Sequence, residues 1–526
     1  MDKASEIGKV SAAGSFMLFA GTSLSNIILA VGTVVLARVI SPEQYGLYSI
    51  ALIPSQTFSL FQDWGMNAAL IKYVAYYRGT NEEHSIHDVI ITGLAFKIVV
   101  GAGLSLLSLL LAGFLATAYL GRPDAGNLVS IASIVILAQS LLSASQAMFV
   151  GFERMGYNSL TMLCQAVIKS VLSPLLVLLS YGALGALLGH TFSLLFTGGL
   201  GLIILYTLTR GLKKIKDRHS SMLVTLKKLL RFGIPLSISS ILAGFFTQFF
   251  AFEMALYCND ATVGNYRVAV NFTVLLTFFT VPVSTVLFPA FAKIDPIKER
   301  RTLQTVFGSS VKYAAVLLVP ATLVVMTLSS QMVSTLFGDK WISAPFLLTL
   351  QAIGYLFVIF GDLNMTSLMS ALGETTMLML LSLLTLIAGI PLAFLMIPTL
   401  GITGVILGIL LAAIPRLFCE TYYLWKKYEV KVDYVTMAKI LVASLLAAAI
   451  TYLLMQALQT LAWAELIVGT GTFAAIYVFT ICVFGALDKA DTNNLRTMFS
   501  GLGVASKIIN ILLRSIERLI DYIHKP

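Results

Sequence analysis

LARVISPEQYGLYSIA, residues 36–51, sets the reading of this chain, because MALYCNDATVGNYRVA, residues 254–269, repeats its frame. With Gly46 placed over Gly264, 218 positions later, both segments run through alanine, a polar turn, Gly-x-Tyr and a closing alanine without a gap. A second match lies almost in register with the first. GALGALLGHTFS (182–193) falls on GITGVILGILLA (401–412) with all three glycines aligned. One such coincidence is cheap in apolar sequence, but two of them mark an internal repeat. The halves run over 11–209 and 230–425, with six apolar runs in each. Six is even, so both copies enter the membrane in the same direction, a parallel repeat about an axis along the membrane normal. A basic linker (210–229) joins them, two further spans (436–487) follow, and a tail (489–526) closes the chain.

Composition puts these runs in a bilayer. Of 526 residues, 58% are hydrophobic and only 11% charged, too few charges to cover a water-facing surface. Apolar stretches of about 20 residues recur from Phe16 to Leu487, each long enough to cross the hydrocarbon. The expected fold is an all-α polytopic membrane protein of about fourteen spans. Its first run reads as a span and not a signal peptide, since it is long and lacks a small-residue cleavage site. Basic residues orient the chain. Twenty-seven of the 35 Lys and Arg fall on one side, and only Arg38, Arg122 and Lys340 fall in the opposite connections. That asymmetry places both termini in the cytoplasm. It also accounts for the net charge of +10 by anionic lipid headgroups, so no nucleic-acid partner is needed.

Several chemistries are left without support. Cys164, Cys258, Cys419 and Cys482 lie singly, with no metal-ligand or redox spacing. No glycine loop of the Walker type is present, and His190 is the one histidine inside a span. The expectation is a transporter with no cofactor, no metal and no catalytic residues. In the tail, Ile508, Leu512, Ile516, Leu519 and Ile523 form one stripe opposite Lys507, Arg514 and Arg518, an amphipathic helix for a membrane surface or a partner.

The segments LARVISPEQYGLYSIA (36–51), FQDWGMNAALIKYVAYYRG (61–79) and LKKLLRFGIPLSIS (226–239) resemble the polysaccharide (O-antigen type) flippases. These belong to the superfamily of multidrug and toxin extruders and lipid II flippases, and the resemblance covers nearly the whole chain. It implies a V-shaped pair of six-helix lobes around a central cavity, alternating access, and saccharide cargo on a polyprenyl phosphate or pyrophosphate. Two spans beyond twelve favour the flippases over the extruders.

Charges inside spans are the candidate site residues, because each costs at least about 2.5–3.5 kcal/mol at mid-bilayer. Lys169 leads, sharing a helical face with Asn158, Gln165 and Ser173. Arg267, opposite Ser49 in the repeat, offers a planar fork suited to phosphate. Lys97 lies on a stripe with Gly101, Ser105 and Ser108, where snorkelling to the interface competes with a cavity role. Arg416 and Glu420 read as a local i, i+4 ion pair, with Arg416 a further cavity cation. Among the acids, Asp362 shares a face with Gln351, Tyr355 and Thr366 and is the proton or sodium candidate. Glu253 is placed to pair with Arg267, and Asp63 in the DWG turn is placed to cap the next helix. Gln139, Ser143 and Gln146 suit either sugar hydroxyls or helix–helix contacts.

Three functions stay open on these residues. Intramembrane cations outnumber Glu253 and Asp362, as an anionic lipid-linked oligosaccharide requires. An ion-coupled exporter of small organic cations needs acids and aromatics to dominate instead. A scaffold in envelope assembly would need none of the charges. The first reading brings glycosyltransferases or a polymerase of the same route as partners.

Overall fold

The computed structural model describes residues 3–80, 82–210, 221–458 and 460–499, with positions 514, 517, 518 and 521 of the tail. The described residues are helical almost throughout and hold no strand. Helices α1 (Lys3–Val39), α2 (Pro42–Ala51), α3 (Ile53–Ser59), α4 (Met66–Gly79) and α5 (Glu83–Leu110) open the chain. The short α6 (Ala112–Phe114) precedes α7 (Gly126–Gly151), α8 (Met155–Leu176), α9 (Gly182–Thr209) and α10 (Met222–Tyr257). Then come α11 (Asp260–Ala292), α12 (Arg300–Thr327), α13 (Ser329–Phe337), α14 (Ala344–Ala352) and α15 (Asp362–Ala371). Helices α16 (Thr375–Leu400), α17 (Ile402–Tyr428), α18 (Tyr434–Leu458), α19 (Ala462–Val483) and α20 (Lys489–Phe499) complete it.

Ten described segments are long and apolar enough to cross a membrane, or eleven with a bent pair, against the fourteen expected. Three of the four differences are explained by the described helices, and the fourth falls on the span expected within α11. The second expected span is split into α2, α3 and α4, each too short to cross alone. The tenth is bent by 57° between the stretch ending at Phe360 and α15. Residues 155–209 count as one stretch although α8 and α9 fold back on each other. At that turn Gly182 has φ +51°, Gly185 lies against the Leu176 backbone, and the Ser173 hydroxyl donates to the Ala186 carbonyl. The turn between α16 and α17 is built the same way. Gly401 has φ +56°, and three residues on Gly404 lies against Met396 and Ile397. A left-handed backbone followed by close helix approach is a geometry that favours glycine at both points.

The chain forms two compact units, residues 1–267 with 389–405, and residues 268–388 with 406–526. In the first unit α1 and α8 run parallel. The Ser159 hydroxyl donates to the Met17 carbonyl and the Ser170 hydroxyl to Ile28, both at 3.0 Å, three helical turns apart. Lipid tails are as apolar as leucine, so small residues and hydroxyls, not hydrophobic burial, hold such helices together. The same unit contains the repeated glycines. A Cβ on Gly46 would strike the Asp260 carbonyl, and one on Gly264 would strike the Pro42 carbonyl. Pro42 and Asp260 stand 218 positions apart, as the glycines do, so the contact is reciprocal. The segments that match in sequence touch one another in space.

Among the described residues of the second unit, α12 is the most enclosed helix, with Val311, Ala315 and Val319 buried. The Tyr477 hydroxyl of α19 donates to its Val316 carbonyl at 2.9 Å. Residues 211–220, half of the basic linker, and the apolar stripe at 508–523 lie outside the described residues.

Candidate functional site

The first unit brings the two leading cations to the ends of one polar array. Tyr48, on α2 two residues after Gly46, shares a 3.0 Å hydrogen bond with His190 Nδ1 on α9. Their rings meet edge to face, 6.3 Å between centroids. Lys169 on α8 lies close enough to act electrostatically on the His190 ring. Arg267 on α11 does the same to the Tyr48 hydroxyl. The order is Lys169, His190, Tyr48, Arg267, a hydrogen-bonded neutral pair flanked by two cations. Neither cation meets a carboxylate among the described residues, and Arg267 Nε is buried without a hydrogen-bond partner.

Buried polar oxygens on two of these helices are also orphaned, Asn158 Oδ1 on α8 and Thr191 Oγ1 on α9, as is Gln248 Oε1 on α10. Buried polar atoms are satisfied in native proteins, so these belong where water or a ligand's hydroxyls enter. Orphaned atoms occur in the second unit as well, Gln351 Oε1 and Asn364 Oδ1 among them, so what sets the first unit apart is the pair of cations without a carboxylate. The array can hold an anion without a full countercharge.

The remaining expected residues divide. Lys97 is fully enclosed on α5 and does not snorkel. Its ammonium is paired with Asp63 and lies 3.4 Å from the Ser143 hydroxyl. Asp63 also accepts the Asn67 N–H at 3.2 Å, so it caps α4 and neutralises Lys97 together. The stripe on α5 is a helix seam, since Ser105 donates to the Ser133 carbonyl and Ser108 meets the Ser133 hydroxyl. Gln146 likewise bonds across to Thr161 on α8 at 3.3 Å.

Glu253 does not make the expected pair with Arg267. Its Oε2 is buried without a hydrogen-bond partner.

In the second unit Arg416 and Glu420 do pair, with Nε to Oε2 at 3.6 Å. Thr366 joins them, donating to Glu420 at 3.1 Å and accepting from Arg416 at 2.8 Å. Asp362 follows Gly361 (φ +86°) at the bend before α15, and both Arg416 and Glu420 act on it electrostatically. Here one guanidinium pairs with Glu420 and has a second carboxyl, Asp362, in its neighbourhood. The buried acids thus include Glu420, so the excess of cations is confined to the first unit. Tyr355, expected on the Asp362 face, donates to the Thr273 carbonyl at 3.3 Å.

The sequence reading missed Tyr48 as a site residue and passed over His190. A lone imidazole inside a span was the available signal, and the repeat, which sets Tyr48 over Tyr266, was the other.

The fold is that of the transporters to which the lipid II flippase and the MATE proteins belong. Lipid II flippase MurJ, in an inward closed conformation, matches at TM-score 0.72 and 15% identity, covering 89% of this chain and 98% of that one. An inward-facing multidrug resistance MATE family transporter of the MOP superfamily matches at 0.64 and 16% identity, covering 78% and 98%. The family profile described as polysaccharide biosynthesis protein matches residues 11–295, over half of the chain, and the chain belongs to that family.

Succinoglycan biosynthesis transport protein ExoT of Rhizobium meliloti is 27% identical over 313 residues, 58% of each chain. Lipopolysaccharide biosynthesis protein WzxC of Escherichia coli is 27% identical over 345 residues, 63% of this chain and 64% of the relative. The chain thus matches about six-tenths of the length of these relatives. It is a multi-pass membrane protein, as its apolar helices and family agree.

Proposed function

We propose that the protein moves an oligosaccharide linked to a polyprenyl phosphate or pyrophosphate across the cytoplasmic membrane, by alternating access and without a catalytic step. The observation that carries this reading is the Lys169–His190–Tyr48–Arg267 array, in which two cations flank a neutral pair and meet no carboxylate among the described residues. A phosphate in hydrocarbon is prohibitively costly, so its route needs fixed donors and water. Lys169 supplies a point charge, Arg267 a planar fork, and the orphaned Asn158 and Thr191 oxygens suit saccharide hydroxyls. The names of the relatives, a succinoglycan transport protein and a lipopolysaccharide biosynthesis protein, support the cargo class.

In this reading the working lobes are 11–209 and 230–425, the linker 210–229 and both termini are cytoplasmic, and spans 436–487 lie outside the lobes. The Asp362–Arg416–Glu420 cluster, with one acid in excess, is the place for a coupling proton or sodium ion. The same cluster favours the second reading, an ion-coupled exporter of small organic cations, because its net charge attracts cations. Glycosyltransferases or a polymerase of the same route are the expected partners. Deletion in the native host should stop surface polysaccharide while the lipid-linked saccharide accumulates on the inner leaflet. Normal export from the deletion strain, or export lost with no accumulated intermediate, rejects the reading.

A further inference from the structure

The first turns of α10 carry three kinds of residue. Leu226, Leu229 and Leu230 pack into the core formed by α4, α5 and α7. Lys227, Lys228, Arg231 and Phe232 line a cleft of about 510 Å³ with Tyr73 and Val224. At the helix start Leu223 is 74% and Val224 63% exposed. Exposed leucine and valine beside lysines, just before an apolar span begins, are the composition of a segment lying at the membrane interface.

Two cations, Lys228 in the cleft and Lys72 beside it, are fixed by contacts that leave them charged. Lys72 lies over the Phe232 ring, 3.8 Å from its centroid. Lys228 lies over Tyr73 and Tyr77, at 4.8 and 4.9 Å, and donates to the Tyr77 hydroxyl. That hydrogen bond also holds the Lys228 ammonium above the usual lysine range. Ring faces orient an ammonium without supplying a countercharge. No acid lines the cleft. Four cations, two of them held in place, an open cleft and an apolar lip together describe a receptor for a negative group that arrives attached to a chain.

We propose that this cleft binds the phosphate of an anionic membrane lipid, with the phosphate among Lys72, Lys227, Lys228 and Arg231 and the lipid chain along Leu223 and Val224. Arg231 gives two parallel donors to phosphate oxygens and the lysines give point charges. The site is separate from the Lys169–Arg267 array and stands whether or not that array carries cargo.

Purified full-length protein, reconstituted in phosphatidylcholine nanodiscs, is titrated with phosphatidylglycerol, polyprenyl phosphate or inorganic phosphate, and bound lipid is read by native mass spectrometry. Retention of either anionic lipid over phosphatidylcholine, whose phosphate is neutralised by its own choline, is expected. A Lys72→Ala, Lys228→Ala, Arg231→Ala variant should lower that retention at least tenfold, and so should raising the salt. Leu223→Ser with Val224→Ser should weaken the lipids and leave inorganic phosphate unchanged. All five positions lie at the surface or at a cleft rim, and a monodisperse elution profile confirms that each variant folds. Unchanged lipid retention in the triple variant overturns the proposal. So does binding of inorganic phosphate as tight as that of the lipids, which would assign the cleft to a free anion. Export in cells is not read here, so failure of this site and failure of the transport reading are separate results.

Discussion

Removing the carboxylate of Asp63 should cost the protein more than removing the ammonium it neutralises. The Lys97 side chain is fully enclosed, while Asp63 keeps 36% of its surface. Asp63→Ala strands an ammonium whose remaining polar neighbour is the Ser143 hydroxyl at 3.4 Å. Breaking a buried pair from the exposed side in this way costs about 3–5 kcal/mol. Lys97→Met leaves a carboxylate with access to water and with the Asn67 N–H, so its cost is about 1–2 kcal/mol. The double variant carries neither charge, and methionine fills much of the lysine volume. Its stability should return to within about 2 kcal/mol of the parent. Thermal or denaturant unfolding in detergent micelles measures all four corners of this double-mutant cycle. Equal costs for the single variants, or a double variant as unstable as their sum, would refute an enclosed ion pair at this place.

Other expectations follow from the same geometry. Gly46→Val should destabilise by about 3 kcal/mol or more, because its side chain meets the Asp260 carbonyl; unfolding of the purified variant measures it, and a neutral result removes the glycine contact. Glu374 is pushed upward by its partial burial, but hydrogen bonds from Lys427, Tyr428 and Tyr423 outweigh this and hold its carboxyl down at about 2. Its folded value lies below the unfolded one, so the stabilisation is fully present above about pH 4.5 and lost as pH falls towards 2. It amounts to at most about 3 kcal/mol, less the screening of the half-exposed Lys427. Glu374→Gln should flatten that part of the acid unfolding curve. Tyr48→Phe removes the hydrogen bond to His190 for about 1 kcal/mol of stability, measured by thermal unfolding, yet should lower transport several-fold because the array loses its neutral centre.

Much of the fold was legible because hydrocarbon leaves the backbone little choice. Apolar runs of sufficient length become helices, and the two glycine turns at 182 and 401 have the same construction in space as in sequence. The break of the second expected span was not legible. Pro42 and Pro54 sit at the starts of α2 and α3, but membrane helices carry prolines generally.

For the site, composition located Lys97, Lys169, Arg267 and Arg416 but not their partners. Whether a cation is neutralised depends on which helix lies beside it. Asp63, 34 positions away, reaches Lys97, while Glu253, only 14 from Arg267, does not reach its guanidinium. Tyr48 and His190 stand 142 positions apart, a separation no local pattern reveals.

The central claim, that unneutralised cations in the first unit carry a lipid-linked phosphate, is tested most directly in proteoliposomes. A fluorescent oligosaccharide on polyprenyl pyrophosphate is loaded in both leaflets, and its inner-to-outer exchange is followed by access to an external quencher. Parent protein should exchange the lipid, and Lys169→Ala and Arg267→Ala should each reduce the rate at least tenfold at equal insertion. Lys169→Arg should keep part of the activity, and glutamate at either position none. Exchange at the parent rate by both alanine variants would contradict the claim.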